Sequence, residues 1–220
     1  MDGYAVKLRV GGDELLGGRH VPLQTFLISV PTSYDPLAAQ RRFHRKEPTM
    51  TTPLSTTAGA DLLAPFGRGR GSLQDSFWYT GWLLTFLATG DQTQGRFALI
   101  EALTSKGNCP PRHIHRHEDE SFHILEGEIT ALIGDQTIRG TPGTLIFGPR
   151  GVPHSFEIHS DQVRMLILLT PAGLEGYFKQ FCTPAPALTL PPPAEIPYAD
   201  IQNLIAVASK YGIVNVPPKP

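Results

Sequence analysis

GNCPPRHIHRHEDESFHILEG, residues 107–127, places four histidines (His113, His115, His117 and His123) within eleven positions. Pro110 and Pro111 favour an extended chain ahead of His113. In a strand, residues two apart share a face, so His113 and His115 aim both imidazoles at one point. Glu120 has the opposite parity and reaches that point only if the chain bends within the polar stretch between Arg116 and Asp119. With Glu120 turned inward, Phe122 and Ile124 follow it into a core or pocket. His123 then faces outward, and His117 sits in the bend; both read as surface histidines.

A second stretch completes the pattern. GTLIFGPRGVPHSFEI, residues 143–158, sets His154 directly after the sharp turn GPRGVP and at the start of a further strand. Phe156 takes inward parity there. Phe147 and Trp82 are also candidates to line a pocket, although the sequence leaves their strand parity open. His159, beside a turn, reads as a surface residue. One H-x-H in a loop is commonplace. Two histidine-bearing segments, each beside its own glycine and proline grammar, are not. Three neutral imidazoles and one carboxylate suit a divalent first-row ion, drawn from Fe, Mn, Ni, Co, Cu and Zn.

Outward from these segments the texture is that of strands. Short runs rich in β-branched and aromatic residues cover 82–88, 96–104, 121–125, 129–133, 144–147, 155–159 and 163–170. Turn signals separate them at Thr89-Gly90-Asp91, Glu126-Gly127-Glu128, Gly134-Asp135, Gly140-Thr141-Pro142-Gly143 and Ser160-Asp161. No helical stretch lies between the runs, which excludes a parallel sheet with helical crossovers. The expectation is all-β, an antiparallel barrel or sandwich. After Thr170, Leu174, Tyr177, Phe178 and Phe181 recur at helical spacing and predict a short helix over 172–182. Residues 183–197 carry five of the chain's prolines before Pro197 and read as an extended connector. A second helix begins at Asp200, with Ile201, Leu204, Ile205 and Ala208 on one stripe, and stops at Gly212. Both helices are expected on the outside of the barrel.

The chain divides as 1–49, a poorly ordered extension or upstream start; 50–76, a lead-in from the second methionine; 77–170, the barrel; and 171–220, the helices and connector. Of 220 residues, 22 are glycine and 21 proline, well above the usual share of roughly 12%. With 40% apolar residues a core is still affordable, so the excess argues for many turns. Nineteen basic and 20 acidic residues give a net charge of −1, which argues against nucleic acid or an anionic membrane surface as partner. Cys109 and Cys182 are the only cysteines, too few for a disulfide framework. No signal-peptide pattern and no run of roughly 18 apolar residues is present. A cytoplasmic protein is expected.

The residues carry a resemblance. Gly107, His113, His115, Glu120 and Gly127 satisfy G-x5-H-x-H-x4-E-x6-G; Gly143, Pro149, Gly151 and His154 satisfy G-x5-P-x-G-x2-H. These are the two motifs of the cupin superfamily, and the chain resembles a single-domain cupin over residues 77–170. The resemblance implies a jelly-roll barrel (the double-stranded β-helix) with short C-terminal helices. It also implies one divalent metal ion held by His113, His115, Glu120 and His154, and a homodimer. The second motif departs from the family pattern at Ile158, where asparagine is usual.

The stretch from Phe77 to Glu128 and the segment PAGLEGYFKQF are similar to cupins of the quercetin 2,3-dioxygenase type. That similarity implies metal-dependent oxidative opening of a flavonol or related phenolic enol, with an aromatic small-molecule substrate. Glu120 would be both ligand and catalytic base. The alternative is a metal-dependent but non-oxidative isomerase, lyase or decarboxylase acting on a small enolisable acid or ketone; for a charged substrate Arg96, Arg112 or Arg150 would supply the cationic partner. A non-enzymatic binding module ranks third, because residues 1–75 show no helix-turn-helix pattern.

Overall fold

The computed structural model describes residues 63–216 and, outside them, the backbone of two three-residue strands, β1 (Tyr4–Val6) and β2 (Phe26–Ile28), which pair antiparallel. Beyond that pairing, the expectations for residues 1–49 and for the first part of the lead-in lie outside the described residues.

The remaining strands are β3 (Ser76–Tyr79), β4 (Trp82–Ala88), β5 (Ala98–Ser105), β6 (His113–His115), β7 (Asp119–Glu126), β8 (Ile129–Ile133), β9 (Gln136–Gly140), β10 (Leu145–Gly148), β11 (His154–Ile158), β12 (Gln162–Thr170), β13 (Thr183–Pro184) and β14 (Ile213–Asn215). They form two antiparallel sheets. One has seven strands in the order β10-β7-β12-β5-β4-β3-β13; the other has five in the order β14-β6-β11-β8-β9. The helices are α1 (Gly90–Thr93), α2 (Glu175–Phe181) and α3 (Tyr198–Lys210). This is the jelly-roll arrangement.

Period-two alternation builds the core. Glu120, Phe122 and Ile124 on β7 are buried between less buried neighbours, as are Val163, Met165, Ile167 and Leu169 on β12. On the opposing sheet Ile129, Ala131 and Ile133 of β8, with His154, Phe156 and Ile158 of β11, do the same. Their apolar members form one buried cluster spanning both sheets, the two-layer solution that lets each sheet hide its apolar face. Ile158, at the position where the family pattern has asparagine, is 1% exposed and belongs to this core.

Several expectations change. Thr89-Gly90-Asp91 leads into the one-turn helix α1 instead of a simple turn, with Gln92 Oε1 accepting the Thr89 N–H at 3.1 Å. Strand β9 has no counterpart in the sequence reading because Gln136–Gly140 is largely solvent-facing and carries no apolar alternation. The proline-rich connector is partly packed. β13 pairs with β3 and forms the edge of the seven-stranded sheet, a place where a proline is tolerated, and Ala185 is buried against Leu83 and Leu103. Trp78 Nε1 donates to the Thr189 carbonyl at 2.7 Å.

The largest difference lies at the C-terminus. The helix α3 does not merely decorate the exterior: Ile201, Leu204, Ile205 and Ala208 line a cavity that reaches His113, His115 and Glu120. After Gly212, whose φ of +79° reverses the chain, β14 pairs with β6, placing Ile213 opposite His115 and Asn215 opposite His113.

Candidate metal centre

β6 and β11 are neighbours in the five-stranded sheet, with His113 and His154 as register partners. His113 and His115 share one face of β6. Residues 116–118 carry the chain from this sheet to the seven-stranded one, so Glu120 enters from the opposite layer. The bend required by strand parity is therefore a change of sheet.

Two contacts hold the histidine segments together. Gly151, with φ +77° in the turn before His154, donates its N–H to the His115 carbonyl at 2.8 Å. Arg150 clamps Asp119, the residue before Glu120, through Nε to Oδ1 at 3.0 Å and Nη2 to Oδ2 at 2.7 Å. That side-chain bonding holds the Asp119 carboxyl below its ordinary value. Gly148 pairs with Glu120, and a Cβ there would stand 3.2 Å from the Glu120 carbonyl.

The structure brings His113, His115, Glu120 and His154 together. All four are buried, with candidate donor atoms within 4.8 Å of one another. His115 Nε2 and His154 Nε2 lie 3.1 and 3.0 Å from Glu120 Oε2, and the Nε2 atoms of His113 and His115 are 3.0 Å apart. The Nδ1 atoms of His113 and His154 face the Pro111 and Val152 carbonyls at 2.8 and 3.1 Å. A carbonyl only accepts, so the proton of each neutral ring sits on Nδ1 and its Nε2 lone pair points inward. Converging lone pairs with a carboxylate among them form a donor set that fits a divalent cation.

The electrostatics agree. Burial lowers the His113 pKa to about 3, with His154 and His115 adding repulsion. Burial alone would lower His154 too, but the hydrogen bond and charge of Glu120 outweigh it and raise the value. Burial would raise Glu120; the attraction and hydrogen bonds of His115 and His154 outweigh that and hold its carboxyl well below the ordinary range.

The cluster opens on a cavity of about 220 Å³. Trp82, Phe122 and Phe156 line it and meet edge to face, with Phe156 centred 6.1 Å from Trp82 and 5.7 Å from Phe122. Ile124, expected beside them, is completely buried in the core and does not reach the cavity. Phe147 is corrected: it is 54% exposed, because Ile146 and Gly148 take the inward parity of edge strand β10. His117 and His159 are exposed and His123 is half-buried on the outer face of β7.

None of Arg96, Arg112 and Arg150 lines the cavity. Arg96 is exposed, Arg112 donates to the Gly134 carbonyl at 3.0 Å, and Arg150 is spent on Asp119. Sequence reasoning missed other lining residues. Tyr79 donates its hydroxyl to that of Tyr177 at 3.2 Å, and Asn108 uses its amide on the Thr80 carbonyl and Thr104 hydroxyl. Tyr177 was visible only as one residue of a helical stripe. Glu118 was also missed: it is 4% exposed, and burial raises its carboxyl pKa despite the nearby His115 and His117.

Residues 101–170 match the family model for the Cupin domain. Over that stretch the chain is similar to a cupin domain, and it holds a buried cluster that could bind a metal ion. Over 108 residues, 44% of this chain and 32% of the relative, it is 30% identical to quercetin 2,3-dioxygenase of Bacillus subtilis. It therefore spans about a third of that relative's length. Over 91 residues, 41% of this chain and 81% of the relative, it is 28% identical to an uncharacterized protein of Streptomyces coelicolor. A solved RmlC-like cupin from Shewanella frigidimarina aligns with a TM-score of 0.42 at 20% identity, covering 48% of this chain and 91% of the other. Among the described residues no helix is long and apolar enough to cross a membrane.

Proposed function

We propose that the chain is a metal-dependent dioxygenase that opens a flavonol or related phenolic enol. The observation that carries this reading is the cavity. It joins the His-His-Glu cluster to walls of Trp82, Phe122, Phe156 and the apolar stripe of α3, with no arginine or lysine on its lining. A small anionic substrate would find no cationic side chain there; a planar aromatic one finds aromatic edges and aliphatic surface. The similarity to quercetin 2,3-dioxygenase of Bacillus subtilis, over 108 residues, supports the same class.

His113, His115, Glu120 and His154 would hold the ion, which when bound supplies Lewis-acid polarisation of substrate oxygens and the redox chemistry that dioxygen requires. Glu120 takes the enol proton. Its depressed pKa makes it a weak base while His115 and His154 both hold Oε2, so it must loosen from those partners to act. Trp82, Phe122 and Phe156 orient the ring, and α3 keeps bulk water from the cluster. The non-oxidative alternative on a small acid would lack an arginine partner, since Arg96, Arg112 and Arg150 do not line the cavity.

The proposal includes a cytoplasmic homodimer. Exposed Leu145 and Phe147 on the edge strand β10 support self-association, since an unpaired apolar edge is usually covered. Oxygen uptake by the metal-loaded protein tests the function: consumption dependent on quercetin is expected. Stoichiometric metal without uptake across flavonols and diketones would move the assignment to the non-oxidative class.

A further inference from the structure

Each imidazole of the cluster has an inward and an outward nitrogen. For His113 and His154 the outward Nδ1 is satisfied by a backbone carbonyl, from Pro111 and Val152. His115 differs. Its Nδ1 is buried and has no hydrogen-bond partner among the described residues. Three positions on, in the bend between β6 and β7, Glu118 Oε2 is in the same condition. Both residues are more than nine-tenths buried, at 3% and 4% exposure. One lacks an acceptor and the other a donor. The loop after β12 comes close to the carboxylate: a Cβ at Gly173 would lie 3.4 Å from Glu118 Oε1.

We propose that Glu118 is the positioning residue of the metal centre, its carboxylate accepting the Nδ1–H of His115 when the centre is loaded. The inference rests on the metal-centre reading of His113, His115, Glu120 and His154. A histidine that binds a metal through one nitrogen is oriented by an acceptor on the other, which fixes the tautomer and strengthens the ligand. Carbonyls two residues earlier in the chain do this for His113 and His154, but none does so for His115, whose Nδ1 has no partner among the described residues. A carboxylate from the bend is the remaining acceptor. It also acts differently from a carbonyl: the full negative charge of a carboxylate hydrogen-bonded to the imidazole makes His115 the most electron-rich of the three histidine ligands.

The experiment compares wild type with Glu118→Gln and Glu118→Leu in the full chain. Zn(II) affinity is measured by competition with a chromogenic chelator, and the thermal midpoint is measured in the metal-free state. The His115 ring is followed by long-range ¹⁵N–¹H correlation in the Zn(II)-loaded protein. Leucine is expected to weaken Zn(II) binding about 10- to 100-fold. It should leave the metal-free midpoint unchanged or higher, because it removes an unpartnered buried carboxylate. Glutamine, which keeps an acceptor oxygen, should recover most of the affinity. The hydrogen-bonded Nδ1–H signal of His115 should be lost in the leucine variant, with those of His113 and His154 kept. A folded leucine variant with wild-type affinity and an unchanged His115 signal would overturn the proposal alone. If leucine prevents folding, equal affinity and an unchanged His115 signal in the folded glutamine variant do not rescue it unless a hydrogen-bonded Nδ1–H is seen in wild type; its absence there overturns the proposal. A wild-type protein that binds no Zn(II) would overturn the metal-centre reading with it.

Discussion

His154 Nε2 lies 3.0 Å from Glu120 Oε2 across the gap between the two sheets, although the residues are 34 positions apart in the chain. His154 comes from the five-stranded sheet and Glu120 from the seven-stranded one. The contact is the point at which the two motifs become one site. It also makes each group's protonation depend on the other.

Glu120→Gln should lower the His154 pKa. Burial lowers that value, and the hydrogen bond and charge of Glu120 are the largest effects raising it, ahead of the Val152 carbonyl, so without the carboxylate it should fall below the ordinary 6.5. An NMR titration of the metal-free variant checks this. A His154 pKa still above 6.5 would mean that another group carries its proton.

The metal-free protein should show a stability maximum near pH 6.5. Between that value and the folded value of about 3, His113 takes a proton in the unfolded chain but not in the native one, so stability falls as pH falls. Above 6.5, His154 keeps a proton only in the native state, so its contribution is lost as pH rises through its raised folded value. Glu120, with a depressed value, adds to the acid side alone. The acid limb should approach about a tenfold change in unfolding constant per pH unit. Metal loading should abolish the alkaline limb, because a coordinated His154 has no proton to lose. Denaturant midpoints from pH 4 to 9, with and without metal, read both curves.

Ile124→Ala and Phe147→Ser should separate core from surface. Ile124 has no exposed area, and its truncation should lower stability by about 2–5 kcal/mol with metal binding retained. Phe147, 54% exposed, should change stability by no more than about 0.5 kcal/mol. Urea unfolding of the two variants, with their elution volumes, also reports on self-association through β10.

Gly127→Ala should be among the most damaging single-methyl changes. Gly127 has φ +82°, and its added Cβ would meet the Gln162 carbonyl oxygen, the Ser160 hydroxyl and the Val163 Cα within 3.0 Å. The backbone conformation alone costs roughly 1–3 kcal/mol, and the backbone clash adds to it. A thermal midpoint within a degree or two of wild type would contradict this account of the turn.

Much of the barrel was legible because its strands bury one face. Phe156 and Ile158 alternate with Ser155, Glu157 and His159, so β11 announces both its extent and its inward side. β9 does not, because Gln136 to Gly140 face solvent and lack that contrast. Phe147 misled for a related reason: on an edge strand an aromatic residue can face either way, and only pairing with β7 sets its side. The histidine cluster could be read because His113, His115 and His154 each stand beside turn residues that aim them. Its surroundings could not. Whether α3 covers a cavity or packs elsewhere depends on β14 finding β6 some hundred positions back, which no local pattern encodes. Glu118 is a polar residue in a polar bend; only the three-dimensional packing makes it a buried acceptor without a donor.

Metal content tests the central claim most directly: mass spectrometry on protein purified without chelator or histidine tag. About one equivalent of Fe, Mn, Ni, Co, Cu or Zn per chain is predicted, lost in His113→Ala and Glu120→Ala while both variants remain folded. A folded wild-type protein that holds no metal after reconstitution with each of these ions would contradict the account, and every mechanism built on the four ligands with it.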